Sequence, residues 1–136
     1  MLRELDPAAT SYPFELWREE GILRLLLTRH ARIGPPEAKE LVRLIAALDP
    51  ATSAPILLEL GELVQVGPVA KELLSRLHGE PRRAVALLAL DTSDRLQGEF
   101  FRRFHKPAFP FRVFVDPGEA HRWLTTWARS PGLRVV

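Results

Sequence analysis

The chain has no cysteine among its 136 residues. That absence excludes disulfides, thiolate metal ligands and cysteine nucleophiles, and it fits a cytoplasmic protein. One-sided charge is missing as well. Nineteen basic and seventeen acidic side chains leave a formal net charge of +2. So small an excess offers little attraction to a phosphate backbone or an anionic bilayer, and nucleic acid is not an expected partner. Long apolar runs are absent. The longest, Ala84–Leu90, falls far short of the roughly 20 residues that span a bilayer, so no transmembrane segment is expected. The start, Met1–Pro7, lacks the basic stretch and apolar core of a secretory leader.

Catalytic signatures are scarce too. No Gly-x-Ser-x-Gly elbow occurs, and Gly61, Gly67 and Gly79 are scattered rather than gathered into a phosphate-binding loop. His30, His78, His105 and His121 include no pair three to five residues apart, so no helical metal motif forms. The expectation is a protein without cofactor, metal or catalytic residues, hence not an enzyme.

What is present is patterning. Apolar residues make up 46% of the chain, enough for one domain with a real core. Two strand-like runs, 13–19 and 21–28, flank a Glu20-Gly21 turn and predict a hairpin. Gly34-Pro35-Pro36-Glu37 reads as a helix start, followed by Ala38, Leu41, Val42, Ile45 and Leu48 at helical spacing. A short strand is expected at 55–60, and Gly67-Pro68 opens a second helix with Val69, Leu73, Leu74 and Leu77 as its buried stripe. The run Ala84–Leu90 is apolar on both parities, as in a central parallel strand covered on both sides. Asp91 to Asp94 offers N-caps for a third helix, whose apolar face is read as Leu96, Phe100, Phe101 and Phe104. A last strand at 111–115 leads to Asp116-Pro117 and a fourth helix with Ala120, Trp123, Leu124 and Trp127 as its stripe. Strand–helix alternation implies parallel strands with crossover helices. The predicted fold is α/β: one mixed five-stranded sheet, built from an N-terminal hairpin and three strand–helix units, with four helices. Residues 1–12 and 130–136 are expected to be tails around a domain at 13–129.

Three clusters carry candidate chemistry. Asp91, Thr92, Ser93 and Asp94 stand just past a strand end, where open α/β sheets bind ligands; the alternative is simple helix capping. Arg102, Arg103, His105 and Lys106, with Arg112, are a candidate anion or partner contact; the alternative is a solvated helix end that complements its dipole. Phe100, Phe104, Phe109 and Phe114 either line an apolar pocket or belong to the core.

The order of elements resembles a STAS domain, the fold of bacterial anti-sigma-factor antagonists, and in particular STAS-like proteins grouped with CRAL-TRIO lipid-binding domains. Arg83–Leu90, Phe109–Phe114 and Glu119–Leu124 carry the likeness, which covers residues 13–128. It implies a regulatory module that binds a protein partner or itself. In phosphorylated members an Asp-Ser pair opens the helix after the second crossover strand. Here Gly67, Pro68 and Val69 stand in that place, so the phospho-switch does not carry over. The second expectation is a carrier of a small apolar or lipid ligand, with the phenylalanines as wall and the Arg102–Lys106 group as headgroup clamp.

Overall fold

The computed structural model describes residues 13–50, 54–76 and 83–135. The expected tail at 1–12 lies outside the described residues. Strands β1 (Phe14–Glu19) and β2 (Ile22–Leu27) form the predicted antiparallel hairpin. Its turn residues Glu20 and Gly21 both have positive φ, 54° and 79°, the type I′ geometry that matches the twist of paired strands. A two-residue strand β3 (Arg32–Ile33) precedes α1 (Pro35–Leu48). The amide of Gly34 donates to Glu37 Oε1 at 2.9 Å, closing the helix start read from the Gly-Pro-Pro-Glu run. Strand β4 (Ile56–Leu60), a second two-residue strand β5 (Gln65–Val66), helix α2 (Pro68–Ser75) and strand β6 (Val85–Leu88) follow. Helix α3 (Thr92–Phe100) widens into a π turn, Phe101–His105, before β7 (Phe111–Phe114) and α4 (Pro117–Val135). The expected tail at 130–136 is thus largely the continuation of α4.

The sheet order is β1-β2-β4-β6-β7, with β1 antiparallel and the rest parallel. Strands β3 and β5 make a separate parallel pair at the C-terminal end of β2 and β4. The three crossovers all advance in one direction. Right-handed crossovers of that kind leave their helices on one face, and α1, α2 and α3 indeed pack against the side carrying Leu25, Leu58 and Leu87. Those three leucines are register partners across neighbouring strands. The other face carries Ile22, Leu57, Ala86, Leu88 and Phe114, and α4 covers it with Ala120, Leu124 and Trp123.

Two tight places fix the frame. Asp49, at the end of α1, accepts from Arg83 Nη1 at 2.7 Å, Arg18 Nη2 at 3.0 Å and the Ala54 amide at 2.9 Å. Asp49 and Arg83 are both buried. At the end of β4, the amide of Gly61 donates to the Leu27 carbonyl at 2.7 Å. A Cβ there would lie 2.7 Å from the Arg29 amide nitrogen and 2.9 Å from the Leu27 oxygen. Both are backbone atoms that cannot swing aside. Gly61→Ala is therefore expected to lower stability by about 1–3 kcal/mol through overpacking, seen as a lower urea midpoint at constant slope.

Candidate functional site

Helix α3 lies on the sheet through its glycine. A Cβ on Gly98 would come within 2.5 Å of Leu87 Cδ2 and 2.8 Å of Val113 Cγ2, so the backbone itself makes the contact. Asp94 and Gly98 are the buried positions of α3, and half-buried Phe101 continues their line. Residues two places away on an α-helix point about 200° round. Leu96 and Phe100 therefore face away from the sheet, and they are 66% and 49% exposed. Phe104 in the π turn is 64% exposed and its ring sits 4.3 Å from that of Phe100. This corrects the expected orientation: of Leu96, Phe100, Phe101 and Phe104, only Phe101 turns inward. On α2, Val69 is exposed, Leu73 and Leu74 are half-buried against the core, Ala70 and Ser75 are the buried positions, and Leu77 lies outside the described residues.

The polar cluster at the start of α3 is a cap. Asp91 Oδ1 accepts from the Asp94 amide at 2.8 Å, and Asp94 Oδ2 accepts from the Leu90 amide at 3.1 Å. Burial pushes the Asp94 carboxyl above its ordinary value; the Leu90 amide opposes this, and the Asp91 charge adds to it. Thr92 and Ser93 are exposed. An open depression lies here against Leu90, Asp91, Thr92, Arg95 and Val115, but both carboxylates are committed to backbone amides.

The basic group does not converge. Arg102 Nε pairs with Glu99 at 2.9 Å. His105 Nδ1 faces Glu72 Oε1 at 3.0 Å and ties the π turn to α2. The bond to His105, then that to Arg76, holds the Glu72 carboxyl below its ordinary value against a small burial penalty. Arg103 and Lys106 are exposed. Arg112 lies on the opposite sheet face, with its guanidinium 4.8 Å from the Phe114 ring centre and 5.7 Å from that of Trp123. Alternation along β7 separates it from the others: Phe111 and Val113 face α3, whereas Arg112 and Phe114 face α4.

Nor do the four expected pocket phenylalanines come together. Phe100 and Phe104 are outside, Phe114 packs under α4, and only Phe109 borders a cavity. That cavity, about 110 Å³, lies between the sheet and the three helices. Its floor includes Leu25, Leu58 and Leu87, and Phe101, Phe109 and Phe111 also line it. Phe101 meets Phe111 edge-on at 5.2 Å and stacks on His105 at 5.7 Å. Leu58, in the middle of a central strand, is only half-buried. A close-packed interior would seal such a residue. Among the described residues, the only polar side chains lining the space are Lys71 of α2 and Gln97 of α3. These two, with Leu58 and Gly98, are the site residues that reading the sequence passes over. A glycine inside a helical pattern, at Gly98, was the one available signal of close backbone approach.

A family model described as a domain of unknown function, DUF7793, matches residues 16–128. The chain belongs to this family. The match runs from within β1 into α4 and so takes in part or all of every strand of the sheet. No curated protein matches the chain. Among solved structures, this DUF7793 chain is similar to an uncharacterized protein of the DUF3478 family from Shewanella loihica PV-4, described as having a SpoIIAA-like fold. The identity is 16%, the TM-score 0.53, and the alignment covers 82% of this chain and 91% of that one. At that identity the likeness concerns the fold alone, and the fold is STAS-like, as the order of elements implied. In this DUF7793 chain, Gly67 is the N-cap of α2 and Pro68 its first residue, so the helix opens without a hydroxyl. Among the described residues, no three His, Asp or Glu side chains are grouped to hold a metal ion, and no helix is long and apolar enough to cross a membrane.

Proposed function

We propose that this chain is a non-enzymatic STAS-like regulatory module that docks a different protein through the outer face of α3. The observation that carries this reading is the exposed stripe of Leu96, Phe100 and Phe104. Three large apolar side chains in one line on a single helix are a costly surface to keep in water unless something covers them. Aromatic anchors of this kind commonly carry most of the energy of an interface.

Charge decides between occupants. Among the described residues Arg95, Arg103 and Lys106 have no ion-pair partner, and Lys71 Nζ sits 5.4 Å from the Phe100 ring centre. The Glu99 charge beside the stripe is answered by Arg102. A two-fold dimer through this face would set the same patch against itself and bring the free cations together. The surface suits instead a partner segment with apolar side chains rimmed by Asp and Glu.

Capture from extracts of the native host, with wild type and Phe100→Asp/Phe104→Asp compared side by side, tests this. The captured protein is identified and purified, and its affinity is then measured directly. The double variant is expected to bind about 100-fold more weakly, and binding to the wild type should weaken with salt. Equal affinity for both forms, or a wild-type homodimer that the variant breaks, would refute the reading.

A further inference from the structure

We infer that the cavity beneath α1, α2 and α3 is a binding site for a short-chain monocarboxylate, with the alkyl chain inside and the carboxylate at Lys71. This inference does not require the docking face, although Lys71, whose ammonium lies over the Phe100 ring, borders both. Apart from Lys71, Gln97 and the backbone of Gly98, every lining residue offers hydrocarbon alone. Among the described residues, no acidic side chain lines the space. Such a cavity stays dry and takes up apolar molecules rather than water. An empty one would deprive its leucines of packing partners on one side.

The two polar lining side chains set the orientation of the ligand. Lys71 and Gln97 are half-buried and stand on the neighbouring helices α2 and α3. The Lys71 ammonium reaches across to the Phe100 ring of α3, so its methylene stem borders the space while its charge stays at the rim. An anion at the rim would be met by that ammonium and by the Gln97 amide. The volume limits the chain. An engineered cavity of about 150 Å³ holds benzene, so 110 Å³ suits an alkyl chain of about four to six carbons.

The test is calorimetric titration of the full chain with straight-chain acids from acetate to decanoate, and with hexanol. Acetate should not bind measurably. Affinity should rise about fourfold per methylene and level off near hexanoate, where the space is filled. Lys71→Met should weaken hexanoate about tenfold and leave hexanol unchanged, because only the charged head loses a partner. Leu58→Phe should abolish binding of both by filling the cavity. No binding from butanoate to octanoate would overturn the proposal, as would Leu58→Phe binding hexanoate like the wild type. An unchanged hexanoate affinity in Lys71→Met would overturn the assignment of the carboxylate. The chain-length series needs only the wild-type protein, so the proposal is tested even where a variant does not fold.

Discussion

Arg83→Met is expected to lower the unfolding free energy by about 3 kcal/mol, measured by urea denaturation at neutral pH. The Arg83 guanidinium bonds Asp49 and the Ala54 carbonyl, each at 2.7 Å, inside the protein. Removing it leaves Asp49 buried with only Arg18 as counter-charge, and the Arg18 side chain is 43% exposed. Losing one partner of a buried pair commonly costs about 3–5 kcal/mol, and the surviving Arg18 places this case at the lower end. The Arg83 Nε has no hydrogen-bond partner among the described residues.

The same cluster has a pH signature. Burial pushes the Asp49 carboxyl up, but the Ala54 amide and the guanidiniums of Arg83 and Arg18 outweigh it, leaving it below its ordinary value. Between the folded and unfolded values the unfolded chain binds more protons, so stability rises with pH. The contribution is complete above the ordinary aspartate range near pH 4 and is lost as pH falls through the folded value. Asp94, whose carboxyl is raised, contributes the opposite slope. The check is therefore a difference: Asp49→Asn should flatten the acid limb of the stability curve relative to wild type, and an unchanged limb would contradict the cluster's role.

Leu124→Ala is expected to cost about 3–4 kcal/mol, within the range for a fully buried leucine whose site cannot collapse. Leu124 is inaccessible to solvent and packs with Ile22, Leu57, Leu88 and Phe114. Ala86 and Ala120 are also fully buried on this face, so small side chains already let helix and sheet approach closely. Little slack remains to absorb the lost methyl groups. Among the described residues α4 is the one helix on this side, and loosening it would expose the sheet. A thermal or urea midpoint near that of the wild type would show that α4 is not integral to the core.

Much of this architecture was legible because its signals are local. Apolar residues on both parities marked β6 as covered on both faces, and the structure places α3 on one side and α4 on the other. Asp116 was legible as a cap, and its Oδ2 accepts from the Glu119 amide at 2.9 Å. The paired strands β3 and β5 were not legible, since two residues hold no period. The buried role of Arg83 was not legible, because a charge at a strand boundary signals solvent by default. The face of α3 was misread for a specific reason. Hydrophobicity favours the stripe of Leu96, Phe100 and Phe104, whereas the contact is made by Gly98, which has no side chain to advertise burial. Apart from Phe109, the cavity was not legible, because most of its wall is ordinary leucine and isoleucine drawn from several strands and helices. Sequence counts apolar groups; it does not report the space left among them.

Whether the Phe100 and Phe104 rings stand in water is tested most directly by the melting temperature of Phe100→Asp/Phe104→Asp. On an exposed helix face the two substitutions should together change stability by no more than about 1 kcal/mol, leaving the melting temperature within a few degrees of wild type. A collapse of more than about 15 °C, the loss expected when phenylalanines leave a core for charge, would contradict it.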